Sequence, residues 1–145
     1  MNRRDVFTAG LGLGIAVVAR EALADAPKGD KRGVLLDALH ACIAKAELCQ
    51  AHCQTQLASG DKEFGHCMQA VTDMLEVCRV TASLVARQSP HAKEQVTACA
   101  AVCKECSAAC AEHKAHFAHG MHTECKACME SCDACVTACN AFLAG

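Results

Sequence analysis

Cys125-Lys126-Ala127-Cys128-Met129-Glu130-Ser131-Cys132-Asp133-Ala134-Cys135-Val136-Thr137-Ala138-Cys139 is the stretch that decides the fold. Five cysteines recur in it at alternating steps of three and four, with small, charged or helix-favouring residues between them. On an α-helix those steps place side chains on one face, a turn apart, whereas a strand would scatter them over both faces. The stretch therefore predicts a helix carrying a stripe of thiols that climbs about 21 Å from Cys125 to Cys139, at ~1.5 Å per residue.

The same stepping continues upstream. Ala92, Val96, Cys99, Cys103, Cys106, Cys110, His113 and Phe117 share one face, as do Cys67, Val71, Met74, Cys78, Thr81 and Val85. So do Leu35, Leu39, Cys42, Ala46, Cys49 and Cys53, and the last stripe extends from Met121 to Phe142. All fourteen cysteines of the 145-residue chain fall on these stripes, while Lys45, Glu47, Glu76, Arg79, Lys104, Glu105, Lys126, Glu130 and Asp133 fall off them. That is the inward seam of a helical bundle with thiols where leucine usually sits.

Punctuation separates the stripes into four helices. Ser59-Gly60 ends the first, from about Gly33 to Ala58, and Asp61 opens the second, to about Gln88. Ser89-Pro90 is an N-cap followed by a first-turn proline, Gly120 stops the third helix after Ala118, and the fourth runs from about residues 121–123 to Leu143. The short connections predict an all-α, antiparallel, up-down-up-down four-helix bundle with a cysteine-lined core, spanning 33–145. With no Trp, no Tyr and four Phe, large aromatic packing units are nearly absent.

The first segment reads as an address. Arg3-Arg4 precedes the apolar, Gly- and Ala-rich Thr8 to Ala19, and Ala22-Leu23-Ala24 is a small-residue cleavage pattern. Residues 1–24 are thus expected to be a twin-arginine (Tat) signal peptide and 25–32 a disordered leader; a Sec signal or a retained anchor is the alternative. Tat export delivers folded protein to the periplasm, where an unfolded chain with this many thiols would scramble its disulfides. The formal net charge is −2; removal of residues 1–24 takes away Arg3, Arg4, Arg20, Asp5 and Glu21 and leaves about −3. Nothing in that balance favours nucleic acid or an anionic membrane.

Thiols spaced in this way point to metal. C-x-x-x-C pairs (Cys49/Cys53, Cys99/Cys103, Cys106/Cys110, Cys128/Cys132, Cys135/Cys139) are joined by C-x-x-C steps into runs. Pairs within one helix are poorly directed for disulfides, and a redox enzyme needs one accessible activated thiol rather than a buried column. Thiolate-only sites select Cu(I), Zn(II) or iron–sulfur clusters, and the last two gather ligands compactly on turns and loops. Charge discriminates further. One Cu(I) per cysteine leaves fourteen thiolates neutral, whereas three or four Zn(II) would leave roughly six or more buried negative charges. The reading is a non-enzymatic store binding many Cu(I) ions through Cys42, Cys49, Cys53, Cys67, Cys78, Cys99, Cys103, Cys106, Cys110, Cys125, Cys128, Cys132, Cys135 and Cys139. A mixed Zn/Ag/Cu detoxification sponge and a metal-free, disulfide-stapled bundle remain as alternatives.

The two bundle ends differ. The turns at Gly60 and Gly120 share one end, where His113 and Met121 lie on the seam as candidate copper ligands, Phe64 and Phe117 narrow the mouth, and His66, His116, His119 and His122 lie near in sequence. The other end reads Leu35, Leu39, Val85, Val96 and Phe142, an apolar plug. Copper is expected to enter at the histidine-rich end.

On these cysteine runs the chain resembles the bacterial copper storage proteins (the Csp family) from about Leu35 to Leu143. The resemblance implies a four-helix bundle that holds many Cu(I) ions on core cysteines and packs as a homotetramer through bundle exteriors. A client copper enzyme or a copper chaperone is the partner expected of a copper store. The leader resembles that of the exported branch. The second helix departs from the pattern, with Cys67 and Cys78 eleven residues apart.

If the leader is read correctly, Arg3→Lys with Arg4→Lys leaves precursor in the cytoplasm on cell fractionation; undiminished periplasmic delivery contradicts a Tat signal.

Overall fold

A computed structural model of the protein describes residues 30–145; the expected signal peptide and residues 25–29 of the expected leader lie outside the described residues. The elements are α1 (Lys31–Ala58), a 3-10 turn (Lys62–Phe64), α2 (Gly65–Ala86), α3 (Ala92–Ala111), a one-turn α4 (Lys114–Phe117) and α5 (Thr123–Leu143). No strand occurs among the described residues.

Sulfur positions fix the topology. Along α1, Cys42 meets Cys132 of α5 and Cys49 meets Cys125, so α5 runs opposite to α1. Cys49 also meets Cys67, Cys67 meets Cys110, Cys78 meets Cys99, and Cys106 meets Cys128. Each helix packs on two neighbours, α1 on α2, α2 on α3, α3 on α5 and α5 on α1, closing an antiparallel four-helix ring. The seam residues turn inward as their spacing requires. In α1 the buried set is Leu35, Leu39, Cys42, Ala46, Cys49 and Cys53, and the nine charged residues placed off the seam are all exposed. Leu75 and Ala82 of α2, Ala109 of α3 and Ala138 of α5 widen the buried stripes. The ion pairs of Arg79 with Glu47 and Glu76 sit on the exposed exterior and add little stability.

Three turns close by one mechanism. Asp61 N–H donates to the Gln56 carbonyl and Gly60 N–H to Leu57 O; Ser89 and Gln88 do the same with Leu84 and Val85, and Met121 and Gly120 with His116 and Phe117. This is the Schellman pattern, which needs a left-handed residue beyond the helix end. Gly60 (φ 97°), Gln88 (φ 54°) and Gly120 (φ 69°) supply it.

The structure moves several boundaries. Residues 31 and 32, assigned to the leader, are helical, because the Asp30 carbonyl already accepts from Val34 N–H and its side chain lies over Gly33. Asp61 caps the 3-10 turn through Glu63 N–H, not α2 directly. Pro90 is not the first helical residue: Ser89 Oγ accepts from His91 N–H in a turn that precedes Ala92. The third helix stops at Ala111 rather than Ala118, where His113 leaves the helical line to stack on Phe64. Met121 is off the seam and 45% exposed, because Gly120 and left-handed His122 (φ 53°) throw the chain outward before α5 begins.

Gln88 is the one non-glycine at these three closures, at a conformation that costs an L residue about 1–2 kcal/mol. Gln88→Gly is expected to raise the unfolding free energy of the reduced, metal-free protein by about 1 kcal/mol in denaturant titration, and Gly60→Ala to lower it by a similar amount. A destabilised Gln88→Gly contradicts the assigned turn.

Candidate metal centre

The centre is built entirely from helix interiors. All fourteen cysteines are 0% exposed and free. Their sulfurs form five groups, each with all sulfurs within 4.8 Å of one another. Cys49, Cys53, Cys67 and Cys125 lie beneath the Gly60/Gly120 end, followed by Cys49, Cys110 and Cys128, then Cys106, Cys128 and Cys132. Cys42, Cys78, Cys103 and Cys135 come next, and Cys99, Cys135 and Cys139 are deepest. Cys49, Cys128 and Cys135 each belong to two groups, and Cys42 touches Cys132 at 3.7 Å. Every cysteine is therefore part of one continuous sulfur network. Cross-helix contacts of 3.6–3.9 Å are hydrogen-bonding distances, well beyond the ~2.05 Å of a disulfide, so the stapled alternative does not describe this arrangement.

Proton sharing follows from this packing. In each group one thiol is held below the ordinary thiol range by hydrogen bonds from its neighbours: Cys42 by Cys103 first, Cys67 by Cys110, Cys99 by Cys103 and Cys128 by Cys106. Among their neighbours, Cys49 is pushed up by hydrogen bonding with Cys110, and Cys78 and Cys132 by hydrogen bonding with Cys103, with burial adding to each. Protons are thus shared unequally within a group, and ionisation inside the tube requires a cation to replace each proton. Linear or trigonal sulfur coordination of a soft monovalent ion suits a continuous network in which sulfurs are shared between adjacent groups.

The ends are asymmetric as expected. Leu35, Leu39, Val85 and Val96 are sealed at 0–1% exposure below the deepest sulfurs, with partly buried Phe142 against them. At the opposite end Phe64, 1% exposed, stacks on His113 with ring centroids 4.0 Å apart and 3° between planes. His113 is itself 5% exposed, and its Nε2 is buried without a hydrogen-bond partner. His52 Nε2 lies 3.0 Å from His122 Nδ1, and both rings pack on Phe64. Desolvation first, then the charges of His52, His113 and His116, holds His122 below the usual imidazole range, which favours the neutral ring that binds cations.

Of the two candidate ligands outside the cysteines, the structure buries His113 against Phe64, in none of the five sulfur groups, and leaves Met121 open to solvent. Phe64 narrows this end as expected, and Phe117 is only partly buried. His66 pairs with Glu112 on the exterior at 2.7 Å, away from the tube. Sequence reasoning missed His52, whose place beside Cys53 and one turn from Cys49 was the available signal, and it treated His122 as merely near.

Known proteins share this fold. The chain is similar to a cytosolic copper storage protein from Streptomyces lividans in structures with five coppers and with 10 copper equivalents; both are 28% identical at TM-score 0.69. Each match covers 79% of this chain, and 93% and 85% of the respective neighbour. The Cu(I)-bound copper storage protein BsCsp3 is 20% identical, with TM-score 0.68 over 78% of this chain and 98% of its own, a likeness of fold. A comparison with curated proteins gives no match. The copper storage protein family model matches residues 29–144, and with it the chain belongs to the copper storage protein family.

Proposed function

We propose that this protein is a non-catalytic store that takes up many Cu(I) ions, at about one per cysteine, and that it works outside the cytoplasm after Tat export. One observation carries the storage reading: all fourteen cysteines are fully buried and joined in a single sulfur network with no polar gap. Cu(I) replacing S–H protons one for one keeps that network neutral, so filling can proceed along the tube without accumulating charge. Loading releases protons, and acid opposes it by restoring them. Ag(I), also soft and monovalent, competes for the same sulfurs.

Export is supported by Arg3-Arg4, the apolar stretch and Ala22-Leu23-Ala24. Association into a homotetramer is supported by exposed Val34 and Leu48, two heptads apart on α1, and by Val80 next to the Arg79 that bridges to Glu47. Light scattering reports it directly, and a monomer mass would remove the tetramer from the proposal. Copper passes onward to a client copper enzyme or chaperone.

Entry is proposed at the His113 end. Its buried Nε2 has no hydrogen-bond partner, His122 and His52 pack on the same Phe64 ring, and Met121 is an outer thioether on the solvent side. Imidazole binds Cu(I) more weakly than thiolate does, so an ion caught here passes inward.

Anaerobic Cu(I) titration is expected to saturate near one ion per cysteine, and replacement of all fourteen by Ala to abolish uptake. Saturation at one or two ions would end the storage reading. His113→Ala, alone or with Met121→Ala, is expected to slow both uptake and chelator removal in stopped-flow measurements while leaving capacity nearly unchanged. Rates equal to those of the parent protein would place the entrance elsewhere.

A further inference from the structure

On α2, Cys67 and Cys78 are separated by three turns in which Val71 and Met74 occupy the seam, both 0% exposed. The gap in thiols is not a gap in sulfur. Met74 Sδ lies 3.4 Å from Cys78 Sγ and 3.7 Å from Cys42 Sγ, and both thiols donate to it. Cys42 and Cys78 belong to the same group, with their sulfurs within 4.8 Å. Three sulfurs bound to one ion at about 2.3 Å each would stand about 4 Å apart in a trigonal arrangement, so this triangle is close to a coordination site already.

We propose that Met74 is a fifteenth sulfur ligand of the tube, completing a mixed thioether–dithiolate Cu(I) site with Cys42 and Cys78. The lone pairs of Sδ accept the protons of two thiols in the metal-free protein. Copper uptake removes those protons, and Sδ is then left facing two thiolates unless the cation takes their place. A soft thioether accepts Cu(I) readily. Being neutral, it raises the ion to three-coordination without adding a buried negative charge, which a further cysteine at this point would do. Leucine fills a comparable volume and would pack here without offering any donor. This proposal rests on the storage reading and adds one residue to it.

The test uses the full chain with Met68, Met121 and Met129 changed to Leu and the remaining methionines, Met74 and Met1, replaced by selenomethionine. After Cu(I) loading, selenium-edge absorption is expected to show a selenium–copper path at bonding distance. Met74→Leu is expected to keep the fold and to release about one more copper per chain to a competing chelator, with Met74→Cys restoring retention. A copper-loaded protein with only carbon around selenium, and a Met74→Leu variant that retains copper as the parent does, overturns the thioether ligand and leaves storage intact. A parent chain that takes up no copper overturns the storage reading instead.

Discussion

A thiol buried among thiols keeps its proton until a cation displaces it, because an isolated charge in a dry helical core costs far more than the fold can supply. Every part of this bundle bears on that constraint. The four-helix ring excludes water from all fourteen cysteines, and the three-and-four spacing keeps their sulfurs within hydrogen-bonding range of one another. In the metal-free state S–H groups satisfy neighbouring sulfurs; in the loaded state monovalent ions take over their charge balance.

Such a core supplies little bulk, so the fold draws its apolar anchoring from elsewhere. Leu35, Leu39, Val85 and Val96 form a conventional plug at one end, and Met74 and Leu75 add large side chains beside the sulfurs. Schellman closures at Gly60, Gln88 and Gly120 hold the helix ends without calling on the core. Anchoring at one end and a histidine–phenylalanine cluster at the other give the tube a direction. The proposed entrance is the end where His113, His52 and His122 replace aliphatic packing.

Most of this was legible in the chain because one periodicity carries both fold and chemistry. The step that makes a helix face also makes a ligand column, so reading Cys125 to Cys139 gave the bundle and the sulfur tube together. What could not be read depends on contacts between segments far apart in sequence. His113 ends α3 early by stacking on Phe64, forty-nine positions upstream, a preference that no local propensity registers. Met121 fell on the expected stripe, but the stripe presumed a helix that starts only at Thr123. Gln88 adopts a left-handed turn that sequence patterns reserve for glycine. Met74 was placed on the seam correctly, yet its contact with Cys42 on another helix is visible only in three dimensions.

The central claim is that the ions lie along the bundle axis between the buried sulfurs. Anomalous scattering at the copper edge from crystals of the Cu(I)-loaded protein tests it most directly. The account predicts a file of copper peaks running from the Cys49, Cys53, Cys67 and Cys125 group to the Cys99, Cys135 and Cys139 group, each peak bonded to sulfur. Copper found chiefly on the bundle exterior, for instance at His66 and Glu112, with the axis empty, would contradict it.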